Sequence, residues 1–233
     1  MIVIGTVVRL QVQSDRLKPG KAPTRRYDPS PLREVPALEV SPRGVVGLTG
    51  DRAHSCNRAP VGDPAHPAAP QHPAAPRQPA APRHAGDPAH AGGERILDVH
   101  HADHPATRNV RLANGLSLLP RLHYARLRET YGPHLVDGSA GESVLLDTAE
   151  SWGPDALRGD LWLETDDGRL ELAGARPAAP CLEFSQYALG REPGDAGPEV
   201  LAALADLDHG ARGFYANATE TGVVRVGARL WRA

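Results

Sequence analysis

Leu161-Trp162-Leu163-Glu164-Thr165-Asp166-Asp167-Gly168-Arg169-Leu170-Glu171-Leu172 is the stretch that decides the fold. Two short apolar segments, Leu161–Glu164 and Leu170–Leu172, flank an Asp-Asp-Gly turn. Gly168 supplies the positive φ that a tight turn needs, so the stretch predicts a β-hairpin. Just beyond it run Ala173-Gly174-Ala175-Arg176-Pro177-Ala178-Ala179-Pro180-Cys181-Leu182-Glu183-Phe184, which carry one of the chain's two cysteines into a second apolar segment.

Further strands are expected on both sides of the hairpin. Val8, Leu10 and Val12 alternate with Arg9, Gln11 and Gln13, the pattern of a half-buried strand. Val35–Val40, Gly44–Leu48 and Val144–Leu146 are shorter candidates, and Val223–Leu230 reads as one terminal strand with Val224 and Val226 on one face. Helices are predicted over 118–131, where Leu119, Leu122, Leu127 and Tyr131 share a face ended by Gly132-Pro133, and from Pro198, where Val200, Leu201, Leu204 and Leu207 form a stripe before Gly210. Many strands and few helices predict a mostly β, α+β fold, closed or partly closed as a barrel.

From His66 the chain repeats every six residues: His66-Pro-Ala-Ala-Pro-Gln, His72-Pro-Ala-Ala-Pro-Arg, Gln78-Pro-Ala-Ala-Pro-Arg, His84-Ala-Gly-Asp-Pro-Ala. Dense proline removes backbone donors, and alanine offers too little apolar area to offset ordering entropy. Residues 56–93 therefore read as a polyproline-II-like or disordered insertion in a single domain spanning 1–233. With three residues per turn, His66, His72, His84 and His90 would share a face, a conceivable weak metal site beside the simpler reading of a solvated spacer.

Composition excludes several functions. A net charge of −2 gives no global field to recruit DNA or an acidic membrane, and basic and aromatic residues do not interleave as in nucleic-acid readers. Met1-Ile2-Val3-Ile4 is too short and lacks the basic flank of a signal peptide, and no run approaches the ~20 apolar residues of a membrane helix. Cys56 and Cys181 make no disulfide framework, so the expected compartment is the cytoplasm, with Cys181 reduced. Lys18 and Lys21 are the sole lysines against 24 arginines, so a Schiff base to pyridoxal phosphate has few candidates. There is no Walker A loop, GxGxxG or GxSxG motif.

Four places carry candidate chemistry. Cys181 follows a stiff loop holding Pro177 and Pro180, with Arg176 close in sequence; it is either a packed small hydrophobe or a reactive thiol or soft metal ligand. Gly138, Gly141 and Glu142 form a turn whose exposed N–H groups would cradle an anion, or simply a tight link into the next strand. Arg212-Gly213 would clamp a phosphate, the glycine leaving room, or end a helix at the surface. His100, His101, Asp103 and His104 are a pocket edge, an acid-base site or structural; on one strand the adjacent histidines would point apart, which argues against zinc.

Three blocks of this chain resemble the MOSC domain, named for the C-terminal domain of molybdenum cofactor sulfurases. Gly138-Ser139-Ala140-Gly141-Glu142-Ser143 is similar to its G-x-x-G-E-N turn, with Ser143 in place of Asn. Arg176 through Cys181 resembles its R-x-P-C block with a longer spacer, and Gly210-Ala211-Arg212-Gly213-Phe214-Tyr215-Ala216 followed by Thr221–Gly227 resembles its closing segment, with Ala228 replacing the final Asp. Gly50-Asp51-Arg52 and His100-His101 are weaker echoes. The resemblance implies a MOSC-type β-barrel that binds molybdenum cofactor (a molybdopterin), with Cys181 as molybdenum ligand and Gly138, Gly141, Glu142, Arg176, Arg212 and Gly213 around the cofactor. The implied activity is reduction of N-hydroxylated small molecules, with electrons from a separate redox partner. Two other readings stay open: a sulfur carrier with a persulfide on Cys181, charged by a separate cysteine desulfurase, and a non-catalytic module binding an anion.

Overall fold

The computed structural model describes residues 1–50, 93–109, 111–112 and 114–233. The strands are β1 (Ile2–Gln13), β2 (Leu32–Glu34), β3 (Ala37–Ser41), β4 (Gly44–Leu48), β5 (Arg95–Leu97), β6 (Leu116–Pro120), β7 (Val144–Asp147), β8 (Leu161–Thr165), β9 (Gly168–Pro177), β10 (Phe214–Ala218), β11 (Gly222–Arg225) and β12 (Arg229–Arg232). The helices are α1 (Arg121–Tyr131), α2 (Leu182–Ala188) and α3 (Pro198–Asp206).

The predicted hairpin is β8–β9, with Thr165 opposite Gly168 and Gly168 at φ +138°. From it the order runs β12-β8-β9-β10-β6-β7-β1, and β1 also pairs with β12, so seven strands close into a barrel. The barrel is antiparallel except between β6 and β7, which run parallel and are joined through α1. A second sheet, β11-β3-β4-β5, packs on the barrel: Leu38, Val40, Val45 and Val224 share its core. The mostly β barrel predicted from the sequence is the observed fold.

Period-two geometry sorts the apolar residues into two layers. Leu118, Val144 and Leu146 point into the barrel with Val7, Leu10, Leu163 and Phe214. Leu119 and Leu145 point outward, where Tyr124 and Leu127 of α1 and Phe184 of α2 cover them. The resulting wall, strand on one side and helix on the other, fixes the segments that enclose the site.

Several local expectations are corrected. Leu118 and Leu119 belong to a strand, and the helix starts only at Arg121 because Pro120, at φ −65° and ψ 134°, ends the extended run. His123, Tyr124 and Leu127 are its buried side, while Leu122 is exposed. The segment 223–230 is two strands, broken at Gly227 (φ +92°), so Val224 is buried and Val226 exposed. A bulge in β1 between Val7 and Arg9 sends Val7 into the barrel and Val8 to the outer layer, where strict alternation had placed Val8 with Leu10. In α3, Val200, Ala203 and Leu207 pack inward and Leu201 faces out. The expected insertion, its histidines and Cys56 lie outside the described residues, apart from Gly93.

Candidate functional site

A cavity of about 310 Å³ lies where five segments meet: the loop after β1, the stretch 99–117, the turn 140–142, Ala178-Ala179, and Arg212 with Tyr215. Its size is that of a small-molecule site. Arg16, Lys18, Arg25, Arg108 and Arg212 line it, and Glu142 is the one carboxylate among its lining residues. Arg25 is paired with Glu183 of α2. Arg16 spends two donors on the Ala106 carbonyl, at 2.8 and 3.1 Å, which leaves its charge unneutralised. Among the described residues no ion pair engages Arg16, Arg108 or Arg212. The cavity thus favours an anion.

The turn before β7 is stitched down by its carbonyls. Gln11 donates to Gly138 O at 2.8 Å, Tyr27 to Ser139 O at 2.8 Å, Arg212 to Ala140 O at 2.5 Å, and Gln13 to Gly141 O at 2.6 Å. Its amides are engaged too: Ala140 N donates to Tyr124 Oη at 2.8 Å and Gly141 N to Gly138 O at 2.9 Å. The expected cradle of free N–H groups is therefore replaced by a turn locked to its neighbours. Gly141 is needed for close approach, since at φ +83° a Cβ would stand 2.6 Å from Leu17 Cδ1. Gly138 faces Arg9 and Gln11 of β1 and is not on the cavity wall.

What the turn does present is Glu142. It is 4% exposed, and Tyr124 donates to its Oε2 at 2.9 Å. Its Oε1 is buried with no partner. Burial raises the carboxyl to about 7, against the lowering effects of its own amide, Tyr124, Arg212 and Arg9. Ser143 ties β7 to β6: its N–H donates to Ser117 Oγ at 2.9 Å and its hydroxyl lies 3.2 Å from the same atom.

Arg212 lies under the cavity, its Cζ 3.8 Å from the Phe184 ring centre and 5.9 Å from that of Tyr27. Burial opposes its charge, but Tyr27 and Cys181 favour it strongly enough to hold its pKa above the usual arginine value. Gly213 does not make room for a ligand: at φ +92° its missing Cβ would stand 2.6 Å from Leu118 O, so it lets the chain pass β6.

Cys181 is the N-cap of α2, a helix where the sequence pattern shows only an apolar segment. Its carbonyl accepts from Ser185 N at 3.1 Å and Ser185 Oγ at 3.2 Å. The side chain is partly exposed and packs against the outer layer that holds Tyr27 and Phe184. Ala178 and Ala179 line the cavity; Cys181 follows them and does not. Arg176 sits at the rim, donating to Asn114 Oδ1 at 2.5 Å with its Cζ 5.6 Å from the Tyr215 ring centre.

The two histidines part company. His100 lines the cavity, held by Asp98, whose Oδ1 lies 2.8 Å from its N and 2.9 Å from its Nδ1. His101 is buried, accepts from Asp103 N at 3.1 Å, and is pushed down in pKa by burial; it supports the loop against Gly44. Among the described residues no His, Cys, Asp and Glu cluster suits a metal ion. Sequence reasoning missed Tyr124, Asp98, Arg108 and the loop after β1. The basic spacing Arg16, Lys18, Arg25 ahead of Tyr27 was the available signal.

No curated protein matches the chain. Among solved structures it is similar to the YUAD protein from Bacillus subtilis, with a TM-score of 0.47 and 11% identity over 97% of this chain and 93% of that one. It is also similar to YiiM from Geobacillus stearothermophilus, with a TM-score of 0.36 and 19% identity over 51% of this chain and 53% of that one. YiiM from Escherichia coli gives 0.36 and 16% over 50% and 53%. Among the described residues no helix is long and apolar enough to cross a membrane. The model of the MOSC domain matches residues 87–231, more than half the chain and the stretch that holds Glu142, Cys181 and Arg212, and the chain belongs to that family, which is associated with binding molybdenum cofactor.

Proposed function

We propose that the cavity holds the phosphate-bearing pterin of molybdenum cofactor, and that the protein is an oxidoreductase that reduces N-hydroxylated small molecules. The carrying observation is the cavity's charge pattern: five cationic side chains against one carboxylate with an open oxygen. The residues present fit the group. Arg16, Arg108 and Arg212 suit its phosphate, and Glu142 Oε1 suits an N–H of its ring. Cys181, past the end of the Ala178-Ala179 wall and within electrostatic range of Arg212, offers the soft thiolate that molybdenum favours. When bound, the cofactor supplies the electron transfer at the metal. The chain's own part is to hold the anion, screen it with the 99–117 loop, and keep a carboxyl of intermediate acidity at its side. Electrons come from a separate redox partner, since two cysteines cannot hold a four-cysteine iron–sulfur cluster.

A second reading is favoured by one specific observation. The Cys181 thiol is partly exposed and off the cavity wall. That placement suits a persulfide that must be loaded by a separate cysteine desulfurase and passed on.

Metal analysis separates the two. Protein made in a host that produces the cofactor is expected to carry molybdenum, and Cys181→Ser and Arg108→Ala are expected to lose it while staying folded. Cyanide-labile sulfur on Cys181 without molybdenum would establish the second reading. Neither metal nor labile sulfur would remove both.

A further inference from the structure

The turn that borders the cavity has four consecutive carbonyls, Gly138 to Gly141, and each already accepts from a side chain of this protein. Glu142 Oε2 accepts from Tyr124. The acceptor this turn leaves open is Glu142 Oε1, buried and without a partner. A buried polar atom without a hydrogen bond is costly, and a site that keeps one is built to receive a donor. The neighbouring wall is of the opposite kind: Arg16, Lys18, Arg108 and Arg212 are all donors. A ligand that satisfies both must carry an anionic group at one end and an N–H donor at the other.

We infer that Glu142 Oε1 receives the exocyclic 2-amino group of a 2-amino-4-oxopyrimidine ring, and is the residue by which the cavity chooses its ring. Pterins and guanine share that edge. A carboxylate is suited to it because the edge presents adjacent N–H donors, whereas rings without the 2-amino group leave the buried oxygen open. The inference rests on the reading that the cavity binds a phosphate-bearing heterocycle, and it adds which atom of the protein reads which part of the ring. Tyr124 is a positioning residue here: its hydroxyl bridges Ala140 N and Glu142 Oε2 and so holds the carboxylate plane.

The test uses the purified full chain free of bound ligand, above the pH at which Glu142 ionises. Binding of pterin-6-carboxylate is compared with that of its 2-deamino analogue, 4-oxopteridine-6-carboxylate, and GMP is compared with IMP. A charge-assisted hydrogen bond predicts roughly tenfold or greater preference for the 2-amino form. Glu142→Gln keeps the size and loses the charge, and should reduce that preference severalfold in a protein that still unfolds cooperatively and melts no lower than wild type. Arg108→Ala should weaken both forms alike and leave the ratio as it was. A stronger preference in the GMP–IMP pair would assign the edge to a guanine nucleotide and still support Glu142 as its reader. Equal affinities in wild type, or a ratio that survives Glu142→Gln, would overturn the inference. So would failure of every 2-amino ligand to bind; molybdenum content of the same protein then tells whether the cofactor reading stands without it.

Discussion

The guanidinium of Arg212 sits over Phe184 with its Cζ 3.8 Å from the ring centre, while its Nη1 reaches Ala140 O at 2.5 Å. One side chain therefore joins α2 to the turn that presents Glu142. Lysine keeps the charge but not the planar fork. Arg212→Lys is expected to cost about 1–3 kcal/mol of stability, from the lost stacking and hydrogen bond, and to weaken anion retention. Denaturant unfolding and phosphate titration measure the two effects separately.

Tyr124 both accepts from Ala140 N and donates to Glu142 Oε2. Phenylalanine would leave both buried groups short of a partner, at about 1–3 kcal/mol for each. Tyr124→Phe should also raise the Glu142 pKa further, because the hydroxyl bond favours the ionised carboxylate. The signature is a lower melting temperature with an upward shift of the carboxyl titration, read by infrared or carbon NMR.

Glu142 makes stability fall with rising pH. Its carboxyl is raised from 4.5 to about 7, so the folded state holds a proton that the unfolded chain has released. The contribution is greatest below the unfolded value and is lost as pH rises through the folded one. Above about pH 7 Glu142→Gln should therefore be more stable than wild type, by up to about 3 kcal/mol, with the gap closing as pH falls toward the unfolded value. The groups that face the carboxyl are Arg212, Arg9, Tyr124 and Tyr27; burial holds both tyrosines above their ordinary value, so they stay neutral through that range. Parallel melting curves for the two proteins at every pH would contradict this.

Gly213 is strained for any other residue, with φ +92° and Leu118 O where a Cβ would go, at 2.6 Å. Gly213→Ala should cost roughly 2–4 kcal/mol through backbone strain and displacement of β6. Its effect on ligand binding should follow from that instability and vanish when binding is measured well below the melting temperature.

The hairpin was legible because Asp166-Asp167-Gly168 carries its turn chemistry locally. So was the barrel class, because short apolar segments recur around it. The bulge at Val7–Arg9 was not, since it depends on the pairing of β1 with β7. Helix α1 was misplaced because Leu118-Leu119 continue its apolar pattern; only pairing with β7 and β10, both remote in sequence, makes them a strand. Of the candidate residues, the structure brings Glu142 and Arg212 together around Ala140 at the cavity. The role expected of Gly213 gave way to packing, and His101 turned inward while His100 stayed at the cavity. Tyr124 and Asp98 were invisible in sequence because each matters through a partner: Tyr124 through Glu142, distant in the chain, and Asp98 through the orientation it gives His100.

The pairing of Ile2 with Arg232 sets an order of events for a newly made chain. Among the described residues the start of β1, Ile2 to Gly5, pairs with β12 alone, so it has no strand partner until β12 has been made. A contact so distant in sequence forms slowly. The cavity draws its wall from Gln13 through Tyr215, so it too forms only once distant segments have met. Any ligand it holds must be loaded into a finished barrel, and the edges of β1 are where a partly made chain is most exposed to mispairing and to rescue by chaperones.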